Sequence, residues 1–125
     1  LTVVMMFLHT LRVFFTGAYK APRELNWVVG VLLFAVILGL AFTGYLLPWD
    51  MKALFATRVG LDIAESVPFV GEWIKTLLAG DATIIGAQTL TRFFAIHVFF
   101  LPAALFILLA LHFIMIRKQG ISGPL

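Results

Sequence analysis

At 125 residues, 62% hydrophobic and 12% charged, with a mean hydropathy of +1.09, the chain lies far from the balance of a soluble domain. Its net charge of +3 comes from nine basic residues scattered at the ends of apolar segments, which excludes a nucleic-acid groove binder and reads instead as membrane topology signals. The absence of cysteine excludes a disulfide framework, an iron–sulfur cluster and a thioether-bound haem within these residues.

Three apolar segments organise the chain into one transmembrane domain over 1–125. The first, Leu1 to Phe15, is too short to span a bilayer. It is fully apolar from its first residue, and Leu1 is not an initiator Met. The expectation is a helix over about 1–17 whose first half is absent; a re-entrant segment is the alternative. Gly17, Pro22 and the charged cluster Lys20, Arg23, Glu24 close it with a tight loop. Asn26 is then expected to cap a second helix, Trp27 to Leu47, of 21 uncharged residues, which Pro48 stops.

From Trp49 to about residue 88 the character changes. Charged residues (Asp50, Lys52, Arg58, Asp62, Glu65, Glu72, Lys75, Asp81) mix with amphipathic pieces at Leu61–Val67 and Trp73–Leu78, broken at Gly60, Pro68, Gly71 and Gly80. Short surface helices lying across one mouth of a bundle fit this pattern, and a connection of such length commonly carries function. The third span is expected over about 89–116. Its uncharged stretch, Phe93 to Ile116, has 24 residues, long enough at about 1.5 Å per residue to cross a hydrocarbon core of roughly 30 Å. Arg117, Lys118, Gly120, Gly123 and Pro124 end the chain in a coil tail.

Charge orients these segments. Arg12, Lys20, Arg23, Arg117 and Lys118 share one side with a single acid, Glu24, whereas the other side carries four basic residues against five acids. The first loop and the C-terminus are therefore expected on the cytoplasmic face and the long connection outside.

Histidines supply the chemistry. An imidazole in lipid must meet a partner, a cavity or a cofactor, because no water satisfies its nitrogens there. His97 and His112 are fifteen residues apart. At a uniform helical step of about 100° this brings them within roughly 60° of one face, about 22 Å apart along the axis. His9, three residues before Arg12, and His112, five before Arg117, share the depth near the cytoplasmic surface and can bind one haem iron from opposite sides. His97, five residues after Arg92, lies near the outer surface without a histidine at that depth. Its partner is expected fourteen residues before His9, upstream of Leu1. Each histidine alone could equally be a hydrogen-bonded packing residue. A proton relay would place Asp or Glu inside the spans, and zinc would want closer ligands; Met5 and Met6 fit a packing role better than an axial one. Gly30 and Gly44, fourteen apart, would admit a flat macrocycle or a neighbouring backbone. Arg12 and Arg92, one turn from His9 and His97, could neutralise haem propionates or simply anchor the interface.

Four blocks carry a resemblance that covers essentially the whole chain: HTLRVFFTGAYKAPRELNW, GYLLPWDMKALFATRVG, TLTRFFAIHVFFLPAAL and HFIMIRKQGISGPL. They resemble the short, split form of cytochrome b, the haem-b subunit of quinol:cytochrome c oxidoreductases, and lean towards the menaquinol-oxidising Gram-positive type. The resemblance implies an all-α membrane bundle built of the end of one helix and two full spans, part of a four-helix di-haem bundle. It makes His9 and His112 the metal ligands of a cytoplasmic-side, high-potential haem b, and His97 one ligand of an outer, low-potential haem. Arg12, Gly30, Gly44, Arg92 and Arg117 become cofactor-binding positions.

The implied function is electron transfer between outer quinol oxidation and cytoplasmic-side quinone reduction, coupled to proton translocation in the plasma membrane. The implied partners are the Rieske iron–sulfur protein, a c-type cytochrome subunit, the N-terminal part of cytochrome b and menaquinol or another quinol, in a dimeric complex. An extra c-type haem, held through a cysteine in split-form relatives, cannot be placed on a cysteine-free stretch. Asp62, Glu65 and Lys118 are the candidates for proton exchange with quinol. Two other classes remain: a di-haem anchor of another oxidoreductase and a cofactor-free scaffold.

Overall fold

The computed structural model describes residues 1–80 and 84–123; Asp81 and the tail residue Pro124 lie outside the described residues. All regular structure among the described residues is helical: α1 (Thr2–Phe15), α2 (Glu24–Leu46), α3 (Met51–Glu65), α4 (Gly71–Ala79), α5 (Ala87–Ala95), a π-helical turn (Ile96–Phe100) and α6 (Leu101–Gln119). Two stretches are long and apolar enough to cross a membrane, Glu24–Leu46 and the continuous Ala87–Gln119. Both α2 and α6 are apolar around their whole circumference, as a helix surrounded by lipid must be. Large apolar side chains such as Phe106, Ile107 and Phe113 are accordingly exposed.

Helix α2 begins at Glu24, three residues ahead of the start expected from sequence, so Asn26 lies inside it and caps nothing. The Arg23 carbonyl accepts from the Trp27 amide at 3.0 Å, and Glu24 sets an acid in the positively polarised first turn. The charged cluster read as loop therefore supplies the helix start.

The chain forms two compact units. The first comprises Leu1–Gly39 and Leu101–Leu125. Its α1–α2 turn uses Gly17 at φ 64° and carries a short aromatic stack, with Phe14–Tyr19 centroids 5.9 Å apart and Tyr19–Trp27 5.7 Å. Arg23 reaches from this turn to the residues after α6, donating from Nε to the Gly120 carbonyl and from Nη2 to the Ile121 carbonyl, both at 3.2 Å. Gly120 turns the chain there with φ 74°.

The second unit is Leu40–Phe100. Leu46, Ala53, Leu61, Ala79 and Phe93 form its buried core, with Phe42 and Leu78 packed against it. Helix α3 runs over Met51–Glu65 and so starts ten residues before the amphipathic piece expected at Leu61. Its start is set by Asp50, whose Oδ1 accepts from the Ala53 amide at 2.7 Å. Gly60 does not break the helix; it lies inside α3 and leaves room for the Phe42 ring. Gly71 does make a corner, because a side chain there would run into the Glu65 carbonyl. Lys75 of α4 clips the two helices together through Glu65 at 2.6 Å and Asp62 at 3.0 Å.

The last span is not uniformly α-helical. Residues 96–100 form the π turn, with His97 inside it. Pro102 follows directly and has no N–H to donate to the Val98 carbonyl, so the α-helical ladder is interrupted where the wider turn sits. The uniform 100° step behind the shared histidine face fails at this point.

Candidate cofactor sites

The first unit contains an open-mouthed cleft of about 190 Å³. His9 and Arg12 of α1, Gly30 of α2 and His112 of α6 all line it. Four of the residues singled out from sequence thus converge on one cavity. Gly30 faces His112 across the cleft: a methyl group in its place would lie 3.6 Å from Cε1 of His112, an ordinary contact. Nδ1 of His112 is buried and makes no hydrogen bond, although the Asn26 main chain is close enough to interact with the ring.

Arg117 does not join them. It is exposed and absent from the cleft wall, because it follows His112 by five residues and faces another way. Thr10, Arg23 and Asn26, none of which the sequence places at a site, also line the cavity. The Oδ1 atom of Asn26 is buried there without a partner. An amide within an otherwise apolar helix was the available signal, since a polar group in that setting needs a partner.

In the second unit, His97 packs against α2. Its Nδ1 lies 3.0 Å from Oγ1 of Thr43. Beside it, a methyl group on Gly44 would come within 2.6 Å of the ring's Cε1, closer than real contacts permit. Gly44 therefore makes room for the imidazole. Arg92, one turn before the π segment, donates from Nη1 to the Leu77 carbonyl at 2.6 Å, so part of its guanidinium ends α4. Asp62 and Glu65 are both paired with Lys75.

Residues 1–125 match, along their whole length, the family model described as cytochrome b (N-terminal)/b6/petB. The chain belongs to the cytochrome b family. It is 80% identical over 125 residues to the menaquinol:cytochrome c reductase cytochrome b subunit of Bacillus subtilis, covering all of this chain and 56% of that protein. The subunit of the same name from Geobacillus thermodenitrificans is 78% identical, with the same coverage. Cytochrome b6 of Synechocystis is 50% identical over 123 residues, 98% of this chain and 55% of that protein. The chain spans a little over half the length of the curated relatives it matches. It is an all-helical membrane protein of a family whose name implies haem b.

The residues of the first cleft suit such a group. Two imidazoles line one cavity, a glycine keeps one wall flat, and a guanidinium stands ready for a carboxylate.

Proposed function

We propose that this chain is haem-b electron-transfer machinery of a membrane quinol:cytochrome c oxidoreductase. It links an outer quinol-oxidation site to a cytoplasmic-side quinone-reduction site, with coupled proton translocation. The observation that carries the reading is the convergence of His9, Arg12, Gly30 and His112 on one cleft in a chain that matches cytochrome b throughout. Haem b, when bound, supplies a one-electron couple held inside the membrane.

The chain's residues divide the work. His9 and His112 hold one iron from two helices. Arg12 neutralises a propionate, and Gly30 keeps the α2 wall flat for the macrocycle. His97 would hold a second iron together with a ligand from outside Leu40–Phe100, which among its described residues has no other histidine. Gly44 seats the His97 ring, and the donors of Arg92 beyond Nη1 would be available to the second group's propionates. Arg117 supplies positive charge at the cytoplasmic surface. The α3–α4 pair forms part of the outer quinol pocket, with menaquinol as the substrate suggested by the names of the relatives above. The partners are a Rieske iron–sulfur protein and a c-type cytochrome subunit, and the complex is dimeric. The C-terminus faces the cytoplasm, placing the first cleft on the side where quinone is reduced.

The test is His112→Ala in membranes carrying the full-length protein. Quinol:cytochrome c reductase turnover and part of the cytochrome b α-band should both be lost. Unchanged turnover with an unchanged band would sink the assignment.

A further inference from the structure

Thr43 stands out among the residues that the function has not yet used. It is 3% exposed, within a helix whose charged and amide side chains, Glu24 and Asn26, lie in its first turn. Its Oγ1 donates to the Leu40 carbonyl at 3.4 Å, within its own helix, and lies 3.0 Å from Nδ1 of His97. A hydroxyl has one proton and two lone pairs. With that proton directed to Leu40, a lone pair of the hydroxyl can accept from Nδ1–H of His97. The imidazole is then held as the Nδ1–H tautomer, and Nε2 keeps its free electron pair.

We propose that Thr43 is the positioning residue of His97, fixing its tautomer and ring rotation and making its Nε2 a more basic ligand. This rests on the reading of His97 as an axial ligand. The ring is constrained from three directions: the hydroxyl sets its rotation, Gly44 sets its distance from α2, and the π turn sets its backbone. A hydrogen bond accepted from the far nitrogen of a ligating imidazole increases electron donation to the metal, and so favours the ferric over the ferrous state. His112 has no such hydroxyl: its Nδ1 is buried without a hydrogen bond, and only the Asn26 main chain comes near the ring. The hydroxyl helps to make the two sites unequal, and drives the group held by His97 to the lower potential.

The experiment is a redox titration of the cytochrome b α-band in membranes carrying the full-length protein, with low-temperature electron paramagnetic resonance on the same samples. Thr43→Val should weaken the ferric preference of the low-potential component about tenfold, raising its midpoint by ~59 mV, and should move its lowest-field resonance. The high-potential component should stay in place, and Thr43→Ser should keep both values of the unsubstituted protein. If Thr43→Val abolishes the low-potential component, retention of that component at its normal midpoint in Thr43→Ser supports the proposal. An unshifted midpoint in Thr43→Val, or equal shifts in the Val and Ser variants, overturns it. His97→Leu is the separate arm: survival of both components there defeats the ligand reading itself, independently of Thr43.

Discussion

Gly30 and Gly44 receive the two imidazoles of the last span at different clearances, and the difference has a measurable consequence. A methyl at position 30 would sit 3.6 Å from His112, an ordinary contact, whereas one at position 44 would come within 2.6 Å of His97. Gly44→Ala must therefore displace the His97 ring, while the His112 ring can stay where it is in Gly30→Ala. Redox titration should show the low-potential component displaced or lost in Gly44→Ala, and a smaller change of the high-potential component in Gly30→Ala. A larger effect at Gly30 would contradict this ordering. At this scale the histidines were legible from sequence, because an imidazole inside 24 uncharged residues announces an unmet need. Thr43 was not legible, since a hydroxyl in a helix can satisfy itself on a carbonyl one turn back and carries no sign of a distant partner. Asn26 was misread as a cap because a polar residue ahead of an apolar run looks the same from either side of a helix start.

The connection between the long spans owes its form to a cap and a clip. Asp50 fixes where α3 begins, and Lys75 joins α4 to Glu65 and Asp62 of α3. Asp50→Ala should cost the second unit about 1 kcal/mol and increase hydrogen exchange in the first turn of α3. The hydrogen bond to Glu65, and then that to Asp62, holds the Lys75 ammonium above its usual value of 10.5. A raised lysine stabilises the fold in full below its unfolded value, and that contribution disappears as pH climbs through the folded one. Protection of α3 and α4 against hydrogen exchange, relative to the intrinsic rate at each pH, should therefore fall at pH above 10.5, and Lys75→Met should flatten that fall. An identical alkaline profile in Lys75→Met would show that the clip contributes nothing. Sequence pattern located both amphipathic pieces but began the first one too late. Gly60 looked like a break, although the Phe42 ring fills the room it leaves and the helix continues through it. That contact joins residues eighteen apart in sequence, and no local pattern reports it.

Across the whole molecule, the all-helical membrane class was plain from composition and from uninterrupted apolar length, because lipid admits few other backbones. The orientation rests on five basic residues against one acid on one side, and it can be read directly. The stretch contains no cysteine, so single cysteines report without background from it. Ser122→Cys should react with a membrane-impermeant maleimide only from the cytoplasmic side and Ser66→Cys only from outside; the reverse pattern would invert the topology. The pairing of ligands is the claim on which the remaining assignments depend, and it is tested most directly by redox difference spectroscopy of three variants in membranes carrying the full-length protein. His9→Leu and His112→Leu should each remove the same high-potential b component, and His97→Leu should remove the other. Loss of different components in the His9 and His112 variants, or of none, would contradict the account.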